Sequence, residues 1–278
     1  MTSRFRIRAL PLCLAALLAG LHIGLPMPVH AFGTGKKQVV DASVLTGWQS
    51  GTGHVAGLRL DLAPGWKTYW RSPGSAGIPP VFDWSASENL ASIRVLWPSP
   101  SIFDTNGTRT IGYRGHVVFP VEVVARDPSR PVTLRANVSL GVCDRICLPA
   151  TVEASGMLIA PGAPDPAIRA AIEAQPVPGA IAGLGAVSCT VEPIRDGLRI
   201  TARLSLPAQG GREAVVIENA DPQIWVSESV ETRKGGTLTA MADMVPPSGQ
   251  PFALDRSGIT VTVISERGAV EVKGCPAP

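Results

Sequence analysis

From Val132 to Leu140 the chain reads Val-Thr-Leu-Arg-Ala-Asn-Val-Ser-Leu, apolar and polar residues in strict alternation. That is the period of a strand with one buried face. The same period runs through Val39 to Leu45 and through His54 to Leu62, where Leu58, Leu60 and Leu62 face one way. Shorter β-type runs follow at Val81 to Trp84 and Ile93 to Trp97, and again at Leu148 to Val152 and Met157 to Ala160. His116 to Val124 is also apolar, but Pro120 lies inside it, and a residue without an N–H predicts an edge strand or a bulge. A second series begins near Ala186, with strands expected at Val187 to Val191, Leu198 to Leu204, Ala214 to Glu218, Gln223 to Val226 and Leu238 to Met241. It ends in a hairpin, Ile259 to Ile264 and Ala269 to Val272, turning at Glu266 to Gly268.

Three segments break the pattern. Pro64 to Pro80 is crowded with turn residues yet holds Trp66, Tyr69 and Trp70, which predicts an ordered loop packed by its rings. Those rings either close one end of a sandwich or meet a partner. Phe103 to Arg109 reads as a second, polar loop. Pro161 to Pro166 reads as a linker, with Asp165 capping a short helix that starts at Pro166, buries Ile168, Ala171 and Ile172 along one face, and stops at Pro176. With 29 Gly and 26 Pro besides, the chain is expected to be mainly β: two β-sandwich domains, 32–160 and 181–278, joined by a Pro-rich linker and short helix at 161–180.

The amino terminus changes the reading of charge. Arg4, Arg6 and Arg8 precede an apolar run from Leu10 to Leu25 that ends at Val29-His30-Ala31, the layout of a signal peptide cleaved after Ala31. Residues 1–31 hold those three arginines and no acid, so their removal takes the formal charge from +3 to zero. No basic patch then remains to neutralise phosphates, which argues against nucleic acid as a partner. No later apolar stretch is long enough to span a bilayer, so an exported protein with no membrane span is expected.

Beyond the leader the cysteines are Cys143, Cys147, Cys189 and Cys275. In an oxidising compartment an even number implies disulfides, and four cysteines allow three connectivities. Extended chain would hold Cys143 and Cys147 about 13 Å apart at four strand steps, beyond the roughly 4.4 to 6.8 Å that a bridge spans. The chain must therefore turn at Asp144-Arg-Ile146, as a three-residue hairpin loop or one helical turn. Such a loop contributes only about 2 kcal/mol of chain entropy, against about 4.6 kcal/mol for Cys189 with Cys275. The latter pair is the better staple, and small exposed disulfides are open to thiol attack. Arg145 favours a thiolate and Asp144 offsets it. Redox exchange, a structural bond and a metal site all stay open on spacing. Metal is the least supported, because only His54 and His116 lie beyond the leader and no second pair has ligand spacing. A copper role lacks clustered Met and His.

The runs Gly65-Trp-Lys-Thr-Tyr-Trp-Arg-Ser-Pro-Gly-Ser-Ala-Gly77 and Phe82-Asp-Trp-Ser-Ala-Ser-Glu-Asn89, with Gly141-Val-Cys-Asp-Arg-Ile-Cys-Leu-Pro149, resemble the periplasmic amino-terminal region of the DsbD/ScsB thiol–disulfide interchange proteins. The resemblance covers about residues 40 to 160, and the second domain is similar, less specifically, to the extra β domain of the ScsB-like branch. It implies immunoglobulin-like sandwiches and a cofactor-free exchange activity, that of a protein-disulfide reductase. Cys143 and Cys147 would be the redox pair. The resemblance does not say which attacks; Cys143 is taken as the attacker, and Cys189–Cys275, the better staple, as the structural bond. Implied partners are a membrane-embedded thiol reductase of DsbD, CcdA or ScsB type and periplasmic thioredoxin-fold proteins. Phe103 is placed as a cap residue, and Tyr69 and Trp70 as cap or partner contacts. The sequence departs in its short cysteine spacing and in having no thioredoxin-type Cys-x-x-Cys, so a separate membrane reductase would supply the electrons. The rival reading is a non-catalytic β-sandwich binding or assembly protein in which both disulfides are structural.

Overall fold

The computed structural model describes residues 38–278 apart from Asn106, so the expected signal peptide, 1–31, lies outside the described residues. The fold is mainly β, built as sandwiches. Ten strands make the first: β1 (Val40–Ser50), β2 (Gly53–Leu62), β3 (Lys67–Tyr69), β4 (Val81–Asp83), β5 (Leu90–Val95), β6 (Ser101–Thr105), β7 (Thr108–Arg114), β8 (His116–Ala125), β9 (Val132–Cys143) and β10 (Cys147–Leu158). One sheet has the order β1-β2-β8-β5, the other β10-β9-β3-β7-β6 with β4 also paired to β9. The alternation in β9 buries Val132, Leu134, Ala136, Val138 and Leu140. Leu58, Leu60, Phe119, Val138 and Trp70 meet in the layer between the sheets, where Phe119 takes edge contacts from Phe82, Trp97 and Tyr113.

Pro120 does not mark an edge strand, because β8 lies between β2 and β5. Its partner on β2 is Gly57, and its carbonyl accepts the Leu96 N–H at 2.8 Å. A residue's N and O point to the same side of a strand. The missing N–H therefore faces Leu96, one residue beyond the end of β5, where the pair keeps only the Leu96 N–H to Pro120 carbonyl bond and the ladder stops.

The segment read as a linker is docked. α1 (Pro166–Glu173) begins at Asp165, whose carboxylate accepts from the N–H groups of Ala167 at 2.7 Å and Ile168 at 3.2 Å. Its buried Ile168 and Ala171 pack with Val118, Val55 and Trp48 on the outer face of the first sheet. At its end the Ala174 carbonyl accepts the Ser99 N–H at 2.7 Å.

The second sandwich has β11 (Val177–Pro178), β12 (Val187–Ile194), β13 (Gly197–Ser205), β14 (Ala214–Asn219), β15 (Trp225–Val226), β16 (Val230–Lys234), β17 (Thr237–Val245), β18 (Ile259–Ser265) and β19 (Gly268–Lys273). Its sheets run β11-β19-β18-β14 and β12-β13-β17-β15, with β16 also on β17. Ile200, Leu204, Leu238, Met244 and Val261 fill the space between them. Cys189 bridges Cys275 there, with both residues buried, tying β12 to the segment after β19.

Candidate functional site

Cys143 ends β9 and Cys147 opens β10, and the two are register partners at the base of a three-residue loop. The Asp144 N–H donates to the Ile146 carbonyl at 3.1 Å, closing the turn. The two cysteines are bridged, with their Cα atoms 4.1 Å apart. Their surroundings differ: Cys143 is 7% exposed while Cys147 is exposed. Ile78, Ile146 and Leu148, all exposed, give the open side an apolar border. Arg145 is almost wholly in solvent and lies 4.0 Å from Asp144.

The segment read as an aromatic loop supplies a strand at the centre of this sheet. β3 pairs with β9 on one side and β7 on the other, and Lys67 is the cross-strand partner of both Cys143 and Arg114. Cys147, Cys143, Lys67 and Arg114 thus form one row across four strands, with side chains on one face. Alternation puts Tyr69 on that face, and Thr68 and Trp70 on the other.

Tyr69 lies beneath the disulfide. Its hydroxyl is 3.4 Å from the Cys147 Sγ. Its ring lies against Gly141, where a Cβ would stand 2.9 Å from the Tyr69 Cε2, and against Gly77, where a Cβ would stand 2.9 Å from Cδ1. Only glycine leaves room for the ring at these two positions. Burial raises the Tyr69 phenol above its usual range, so it keeps its proton to donate.

Lys67 is 6% exposed and donates from Nζ to the Thr110 hydroxyl at 2.8 Å. Phe103 covers it: the ring centroid is 5.1 Å from the Lys67 Nζ and 5.1 Å from the Arg114 guanidinium. Burial first, and then the neighbouring Arg114 charge, lower the Lys67 ammonium below its usual value.

Three sequence expectations change. Phe103 is not in a loop but in β6, paired with Thr110 across a hairpin. Trp70 is fully buried in the core, with the Arg71 guanidinium 4.1 Å from its ring, and offers nothing to a partner or cap. Tyr69 is 1% exposed with its hydroxyl against the Cys147 Sγ, so it offers no contact surface. Lys67 was missed because turn residues surround β3, although Lys67 and Tyr69 at a spacing of two are the signal of one strand face. Among the described residues no cluster of three His, Cys, Asp or Glu is placed to hold a metal, and no helix is long and apolar enough to cross a membrane.

A hairpin-borne disulfide at the edge of a β-sandwich, resting on a buried tyrosine, defines the class. Residues 37–158 match the model of the thiol:disulfide interchange protein DsbD amino-terminal region, which supports a thiol–disulfide interchange module of DsbD/ScsB amino-terminal type in this part of the chain. Among solved structures the chain is similar to the amino-terminal periplasmic domain of ScsB from Proteus mirabilis, with 26% identity and a TM-score of 0.60 over 86% of this chain and 92% of that one. No curated protein sequence matches it.

Proposed function

We propose that the chain passes reducing equivalents between a membrane-embedded thiol reductase and periplasmic thioredoxin-fold proteins through Cys143 and Cys147. In this reading 1–31 is a cleaved signal peptide, 32–160 carries the exchange site, 161–180 connects, 181–278 is a second domain, and the location is the periplasm. The observation that carries it is the unequal exposure of the two sulfur-bearing residues.

That inequality favours Cys147 as the attacking sulfur over Cys143, the expected one. A reductase thiolate reaches the Cys147 Sγ, forms a mixed disulfide there and expels Cys143 as a thiolate beside Lys67. A second thiol of the reductase then attacks its own sulfur in that mixed disulfide, leaving the pair reduced. In the forward step the Cys147 thiolate, holding the Tyr69 O–H bond, attacks a thioredoxin-fold disulfide, and Cys143 resolves the adduct. Two electrons pass to the partner, and the Cys143–Cys147 bond reforms. The apolar border of Ile78, Ile146 and Leu148 suits docking of another protein around the exposed sulfur.

The test is trapping. In cells, Cys143→Ser leaves an unresolved adduct and captures a thioredoxin-fold protein, whereas Cys147→Ser does not. Capture by neither variant ends the exchange reading.

A further inference from the structure

The second sandwich holds the two segments that flank the disulfide face. On β6–β7, Asp104 and Arg109 are cross-strand partners. Asp104 pairs with Arg212, and Arg109 pairs with Glu231, both on the second sandwich. Glu231 is itself fixed, accepting the Val215 N–H at 3.1 Å. On the loop after β3, Arg71 meets Glu218 and Glu271, each at 2.9 Å, and Ser75 donates its N–H to Glu228 at 2.7 Å.

The next rung of the same hairpin is Phe103 with Thr110. Adjacent rungs face opposite ways. The Asp104–Arg109 rung is gripped by the second sandwich, while the Phe103–Thr110 rung holds Lys67, the neighbour of Cys143. Local opening of an edge hairpin is opposed by the contacts that tie it to its surroundings.

We infer that the second sandwich acts as a clamp: by gripping Asp104 and Arg109 it keeps Phe103 over Lys67, walls off the Cys143 side of the disulfide and directs attacking thiolates to Cys147. This gives 181–278 a role in selecting which sulfur is attacked. The inference rests on the exchange reading for its meaning in the cell, but its chemistry is measured without a protein partner.

Oxidised full-length chain is treated briefly with reduced glutathione, quenched with N-ethylmaleimide, and mapped for glutathione on each cysteine. Attack on either sulfur forms one S–S bond, breaks one, and releases the other cysteine as a thiolate that the maleimide caps. In the wild type the adduct is expected on Cys147. In Arg212→Glu combined with Glu231→Gln, the share on Cys143 should rise about three- to ten-fold, the scale set by two partly exposed ion pairs. Amide exchange in β6–β7 should quicken with it. The swap Asp104→Arg with Arg212→Asp should restore the wild-type share. Arg233→Gln, which breaks the Arg233–Glu213 pair within the second sandwich, is the control for general loosening. An unchanged share in the double variant, or an equal rise in the control, overturns the clamp. A shifted share with no trapped partner overturns the exchange reading alone.

Discussion

The Tyr69 hydroxyl lies 3.4 Å from the Cys147 Sγ, the sulfur of the exposed member of the pair. A neutral donor at that distance does little for a disulfide sulfur and much more for a thiolate, because hydrogen bonds to charged groups are the stronger kind. Tyr69→Phe should therefore raise the Cys147 thiol pKa in the reduced protein by about 1 unit. The pH dependence of iodoacetamide alkylation of Cys147 reads this directly; a curve superimposable on wild type would remove Tyr69 from the chemistry.

Lys67 is a buried cation one strand from Cys143. It favours the reduced pair if a thiolate forms, so Lys67→Met should make the pair more reducing, by roughly 10 to 30 mV. Equilibration against glutathione buffers measures the shift, and a move toward a more oxidising potential would contradict the placement of the charge.

The exchange and structural readings part on the wild-type potential itself. An exchange site should equilibrate with compartment thiols above roughly −300 mV, whereas a structural bond lies below that value.

The two disulfides should differ in their contribution to stability. On the chain-entropy model, replacing Cys189 and Cys275 by Ser costs about 4.6 kcal/mol, and replacing Cys143 and Cys147 costs about 2 kcal/mol. Urea unfolding of the two double variants should show that order. The reverse order would make the hairpin bond the structural one.

Alkaline stability carries the signature of the buried groups. Burial raises the Tyr69 phenol above its usual 10.0 and the Tyr113 phenol well above it. Above pH 10 the unfolded chain releases phenol protons that the fold retains, so stability falls as pH rises. Lys67 acts oppositely: between its lowered folded value and the ordinary 10.5 the unfolded chain holds the extra proton, and stability rises with pH. Tyr113→Phe should flatten the loss above pH 10 in urea titrations, and Lys67→Met should remove the rise below 10.5.

The sequence made β9 legible because its alternation matches its burial residue by residue, and it made the α1 cap legible because Asp165-Pro166 has a local mechanism. Other features depended on distant partners. Pro120 is accommodated in a central strand because its N side meets Leu96, where the ladder with β5 runs out, a fact about another strand. Phe103 reads as loop because polar residues on both arms hide the strands, although Asn106-Gly107 is the dipeptide of a tight hairpin. β3 is three residues among turn formers, held by neighbours on both sides. β16, Val-Glu-Thr-Arg-Lys, carries almost no apolar signal and exists by pairing with β17. At the site, the cysteine spacing required the turn that is found, but the unequal exposure of the two cysteines follows from tertiary packing.

The helix that joins the two sandwiches is seated on the first by Ile168 and Ala171 and pinned at its end by Ser99. A connector docked in this way transmits motion and does not absorb it. Residues 38–278 should therefore tumble as a single body, and the disulfide hairpin cannot be swung toward one electron carrier and then another by bending at α1. The travel that a relay between two partners requires must be made by whole-body reorientation or by the partners.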